Sequence, residues 1–138
     1  MNDEFLQWLR EQLDDDERTA RAATDGPWTT MGQRVLDPSP PSNRLGIGMA
    51  VGHAAASADY NETAEHIARH DPARVLAEVE AKRGVLRQYT DLREQVRNPV
   101  SAENRSRARA LQGEIGDVLR LLALPYADRP GYRDEWRP

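Results

Sequence analysis

Two histidines four residues apart, His66 and His70, are the side chains of this sequence best spaced for chemistry. Positions four apart share one face of a helix, so both imidazoles can reach a single divalent ion. His53 or Asp71 would add a third donor, giving His53, His66, His70 and Asp71 as the candidate metal ligands. The residue after His66 argues against a zinc-hydrolase helix. Such a helix carries a glutamate there as general base, and position 67 is Ile. A structural role for the pair is therefore preferred. The expectation is no cofactor, with a divalent metal as the alternative.

Other catalytic arrangements find little support. The chain has no cysteine, which removes disulfides, thiolate zinc sites and a cysteine nucleophile. Its serines lie in loop-like stretches without a nucleophile-elbow context. The run Asp14-Asp15-Asp16-Glu17 reads as a solvated helix face. The pair Gly46 and Gly48 lacks the third glycine and the strand-to-helix setting of a phosphate loop. No catalytic residue is assigned, and the reading leans away from an enzyme.

Two groups of residues are suited to binding instead. The C-terminal stretch holds Tyr126, Tyr132, Trp136 and Arg137, residue types that dominate protein-binding hot spots. Arg105, Arg107 and Arg109 form a basic cluster, but helical geometry spreads them and Glu103 and Glu114 dilute them. With a net charge of −4 the chain is not expected to bind nucleic acid.

The elements that must position these residues follow from pattern and punctuation. With 138 residues, 38% apolar and 30% charged, the chain fits a single domain, 1–138, with a modest core. No apolar run approaches the roughly 20 residues of a membrane span. The start Met1-Asn2-Asp3-Glu4 is acidic, unlike a secretory leader, so a cytoplasmic protein away from membranes is expected. Every basic residue except Lys82 is arginine, a bias that fits GC-rich codon usage.

A helix is predicted over 3–23, with Phe5, Leu6, Leu9 and Leu13 on one face and Gly26-Pro27 as its stop. A weak hairpin follows over 28–36, turning at Gly32-Gln33. Residues 37–44 and 52–61 read as flexible loops around an alternating run at 45–51. A short helix over 62–70 ends at Asp71-Pro72, where aspartate caps and proline opens the next helix. That helix, 72–97, would span about 39 Å. Lys82, Arg83 and Gly84 break its apolar stripe, which points to a homodimer in which part of it meets another subunit.

Asn98-Pro99 and a Ser101 cap lead to a last helix over 102–122, with Ala108, Leu111, Ile115, Val118, Leu119 and Leu122 as its stripe. The tail, 124–138, is irregular, and its three aromatics imply that it packs on the body. The predicted fold is α+β and mostly helical: an N-terminal helix, a small antiparallel sheet, a long antiparallel helical hairpin and an irregular aromatic C-terminal tail. A sheet this small needs cover, expected from the first helix.

Three stretches carry a resemblance: Ala22-Ala23-Thr24-Asp25-Gly26-Pro27-Trp28, the stretch 65–83 containing His66-Ile67-Ala68-Arg69-His70-Asp71-Pro72, and Val118-Leu119-Arg120-Leu121-Leu122-Ala123-Leu124-Pro125-Tyr126-Ala127-Asp128 with Pro130-Gly131-Tyr132-Arg133 and Glu135-Trp136-Arg137-Pro138. Through them the chain resembles an uncharacterised family of small actinobacterial and actinophage proteins, a domain of unknown function. More loosely it is similar in layout to Ead-like phage early-region proteins. The resemblance implies an architecture and a phage-linked setting, and brings no catalytic residue.

The functional expectation is a small non-enzymatic protein that binds a host or phage protein. The alternatives are a metal-binding sensor or enzyme at His53, His66 and His70, and a small-ligand or nucleic-acid binder using the arginines.

Overall fold

The computed structural model describes residues 2–38 and 54–138. Its helices are α1 (Asp3–Ala22), α2 (Asn61–Arg69), α3 (Pro72–Arg97) and α4 (Ala102–Ala123), and its strands are β1 (Thr29–Met31), β2 (Arg34–Leu36) and β3 (Ala54–Ser57). The fold is a mostly helical α+β arrangement with a small antiparallel sheet, as the periodicity indicates. Among the described residues no helix is long and apolar enough to cross a membrane. His53, the run 45–51 and most of the expected loop 37–44 lie outside the described residues.

The chain divides into two compact units, one of Met1–Asp15 with Val79–Pro138 and one of Asp16–Glu78. In the first unit, Asn2 opens α1: its side-chain oxygen accepts the Phe5 amide at 3.0 Å. Phe5, Leu6, Leu9 and Leu13 of α1 are buried, as are Leu86 and Tyr89 of α3 and Leu119 of α4. Ser101 caps α4 by accepting the Asn104 amide at 3.0 Å.

The tail is less irregular than expected. It holds two 3₁₀ turns, Leu124–Tyr126 and Asp134–Trp136. It lies against α1, where Trp8 Nε1 donates to the Pro130 carbonyl at 3.0 Å. The Trp8 ring meets Tyr132 and Trp136 at centroid distances of 5.4 Å each, and Phe5 meets Trp136 edge-on at 5.3 Å. Gly131 allows this approach. Its φ is +85°, and a Cβ there would sit 3.1 Å from Trp8 Cδ1.

In the second unit the strand order is β1-β2-β3, all antiparallel. The hairpin between β1 and β2 turns at Gly32, whose φ is +62°. β3 corrects the expected loop over 52–61: Ala56 pairs with Val35 and Ser57 with Arg34. Three alanines have weak strand preference, and the pairing with β2 overrides it. Within this unit α2 packs on the sheet, against β1 and β2. Val35, Ala64 and Ala68 form the core of this unit, with Trp28, Ala56, Ala58 and Ile67 packed on it.

Candidate functional site

His66 lies on α2 and His70 is its C-cap. Both side chains are exposed, and their rings lie 4.3 Å apart at a tilt of 39°. His70 Nδ1 lies 2.8 Å from the His66 carbonyl oxygen. A carbonyl only accepts, so Nδ1 is the donor in this contact. The ring thereby satisfies a carbonyl of the last helical turn, a role needed at any helix end.

Asp71 is turned to a different task. It is buried, with Oδ1 accepting the Arg74 amide at 2.8 Å and Oδ2 accepting the Trp28 amide at 2.7 Å. Among the described residues no group of three or more His, Cys, Asp or Glu comes together to hold a metal ion. The candidate ligand set thus contains two adjacent, tilted imidazoles and a carboxylate that accepts from two backbone amides, while His53 lies outside the described residues.

The tail aromatics are drawn inward. Tyr126 and Trp136 are buried and Tyr132 is half-buried. The Tyr126 hydroxyl accepts Lys82 Nζ at 2.9 Å, and its ring carries Lys82 Nζ and Arg129 at 4.8 and 4.7 Å from the centroid. Arg137 stays exposed, donating to Asp134 at 3.1 Å. Two polar atoms of this cluster, Tyr132 Oη and Trp136 Nε1, are buried without a hydrogen-bond partner among the described residues.

α4 is the surface that sequence reasoning misjudged. Its inner line is Ala108, Gly116, Leu119 and Ala123, all buried. A second line, Arg107, Leu111, Glu114, Val118 and Leu121, is exposed throughout. It steps by four and three residues alternately, the spacing that keeps side chains on one seam of a helix. Leu111, Val118 and Leu121 are 38, 39 and 54% exposed.

The predicted stripe had merged the two lines and counted Leu111 and Val118 as core. The inner line is mostly Ala and Gly, which a hydrophobicity pattern undercounts, so the larger side chains beside it drew the assignment. Arg105, Arg107 and Arg109 are all exposed and make no ion pair among the described residues. They do not form one patch, because Arg107 stands on the exposed apolar line and Arg109 on another.

That third line is Arg109, Gly113 and Arg120, beside the buried Gly116 of the inner line. It borders a cavity of about 290 Å³ whose lining also includes Tyr89, Gln112 and Asp117. The charge shifts lie elsewhere. A hydrogen bond from the Arg93 guanidinium and its positive charge hold the Asp3 carboxyl below its ordinary value, and the same hydrogen bond raises Arg93.

A family model described as Family of unknown function (DUF6221) matches residues 2–138. No curated protein and no solved structure matches the chain.

Proposed function

We propose, for a chain that belongs to the family of unknown function DUF6221 across residues 2–138, a non-enzymatic role in protein binding, with a second copy of itself as the first partner. The observation that carries this reading is the exposed seam of α4. Leu111, Val118 and Leu121 stand in one line on the surface while the tail aromatics are used inside the first unit. Scattered apolar side chains on a surface mean little, but an aligned set on one helix marks an interaction face.

Polar residues on the same seam favour a two-fold pair. Arg107 and Glu114 flank Leu111 at four and three residues. An antiparallel α4 crossing about Leu111 sets Arg107 against the partner's Glu114, and the reciprocal pair follows by symmetry. The same crossing carries Val100, 92% exposed just before the helix, toward the C-terminal end of the partner's helix. The resemblance in the stretches 22–28 and 65–83 supports an actinobacterial or phage-linked setting, with a host or phage protein as a second user of the seam.

Sedimentation equilibrium at tens of micromolar tests the reading. The wild-type chain is expected to be a dimer, and Val118→Asp or Leu121→Arg a monomer with an unchanged far-UV spectrum. Arg107→Glu is expected to weaken the dimer, and adding Glu114→Arg to restore it. A monomeric wild-type chain overturns the proposal, as does a double variant no tighter than its weaker parent.

A further inference from the structure

Helix structure explains only half of the pair His66 and His70. His70 has a task at the end of α2, where its Nδ1 donates to the His66 carbonyl at 2.8 Å. The His66 ring has no such task. It is exposed and makes no hydrogen bond among the described residues, and its one ring contact is with His70, at 4.3 Å. Packing therefore gives no reason for a second imidazole at this place.

As neutral rings, the two histidines bring donor nitrogens together on one side of successive helical turns. A neutral His70 that donates from Nδ1 holds its lone pair on Nε2. Histidines that bind metals commonly ligate through one nitrogen while the other donates to a carbonyl or carboxylate, which fixes the ring and its tautomer. The His66 carbonyl supplies that outer contact from within the same helix.

The surroundings set the chemistry of the ion. No third His, Cys, Asp or Glu joins the pair among the described residues, and both Asp71 oxygens accept backbone amides. The chain thus offers two nitrogen ligands and leaves the other positions to water. Nearby charges on α2 are mixed, with Glu62, Glu65 and Arg69 all exposed and Arg69 standing 3.7 Å from Glu65. Two imidazoles without a carboxylate disfavour magnesium and calcium, which take oxygen donors. They suit copper, nickel and zinc, with copper(II) the tightest of the three.

We propose that His66 and His70 form a bidentate site on α2 for a divalent transition-metal ion, copper(II) above nickel(II) and zinc(II). The ion bridges successive turns at the C-terminal end of the helix. Both side chains are exposed, so they turn to it without disturbing the buried Ala64 and Ala68 on the opposite side of α2. Binding here does not require the α4 seam, so a failure of either test leaves the other reading standing.

Isothermal titration of the full chain at neutral pH with copper(II), nickel(II), zinc(II) and magnesium(II) chlorides tests this. Copper(II) is expected to bind at one ion per chain with micromolar affinity, nickel(II) and zinc(II) more weakly, and magnesium(II) not at all. His66→Gln and His70→Gln are each expected to weaken copper(II) binding at least tenfold. His66→Gln keeps the backbone carbonyl that His70 uses, so the helix end stays intact. Copper(II) is also expected to broaden the imidazole proton resonances of His66 and His70 before other side chains. The proposal is overturned if no transition metal binds the wild type, or if copper(II) affinity stays within twofold in His66→Gln. One ion per two chains overturns it as well, since the ion would then lie between copies.

Discussion

The carboxylate of Asp71 holds the backbone amide of Trp28, 43 residues earlier in the chain, at 2.7 Å. Its other oxygen holds the Arg74 amide at 2.8 Å, so one side chain caps α3 and anchors the segment leading into β1. A buried carboxylate is stable when donors surround both oxygens, and here both donors come from backbone. Asp71→Ala removes the cap and leaves the part-buried Trp28 amide without its acceptor, for an expected loss of about 1–3 kcal/mol. Asp71→Asn keeps one acceptor and should fall between the two. Urea unfolding midpoints give the order, and equal stability of Asp71→Ala and wild type would contradict this role.

Gly26 belongs to the same junction. A Cβ there would lie 2.8 Å from Ala73 Cβ and 2.9 Å from Asp71 Oδ2. Gly26→Ala should therefore cost about 1–3 kcal/mol through overpacking. Because the added methyl strikes Asp71 itself, its effect should shrink in an Asp71→Ala background. A double-mutant cycle reads that coupling directly, and strict additivity would show the two residues to be independent.

Two other glycines should respond in opposite directions to the same change. Gly113→Ala adds a methyl to open space on a helix and is expected to stabilise by about 0.5–1 kcal/mol. Gly131→Ala forces a side chain onto a positive φ and against Trp8, and should destabilise by at least about 1 kcal/mol. Thermal melts of the pair decide the matter, since packing at Gly113 or slack at Gly131 would reverse the respective sign.

The pair Asp3 and Arg93 sets a pH response. Asp3 is held below its ordinary value of 3.8, first by the Arg93 hydrogen bond and then by its charge. A depressed carboxylate stabilises the fold above its unfolded pKa and loses that contribution as pH falls through its folded pKa. Arg93→Gln should raise the Asp3 titration midpoint, as followed by carboxyl NMR. The stability gap between variant and wild type should close in acid. A midpoint that does not move would assign the depression to some other group.

Legibility in the sequence followed the range of the forces involved. Helix ends set by local chemistry, at Gly26-Pro27, at Asp71-Pro72 and at the Ser101 cap, could be read from neighbouring residues. β3 could not, because Ala54, Ala55 and Ala56 become a strand only through β2. The capping role of Asp71 was visible, whereas its bond to Trp28 depends on a residue distant in sequence. In α4 the apolar period was read correctly as helical. Period alone does not tell which of two adjacent lines faces inward, and the smaller side chains took the inner place. The Arg109–Arg120 line was missed for the same reason, although two glycines within a helix are a signal available without any structure.

The three lines of α4 also constrain how this helix can change over time. Each position stands about 100° around the axis from the next. Exchanging one residue for another alters one line at one point. Gaining or losing a single residue near Ala110 would turn everything beyond it by that angle, displacing Leu119 and Ala123 from the interior together and breaking the apolar seam and the arginine line at the same step. Length in this helix is therefore under tighter constraint than composition. Drift in α4 is expected as replacements, with indels confined to the turns at either end.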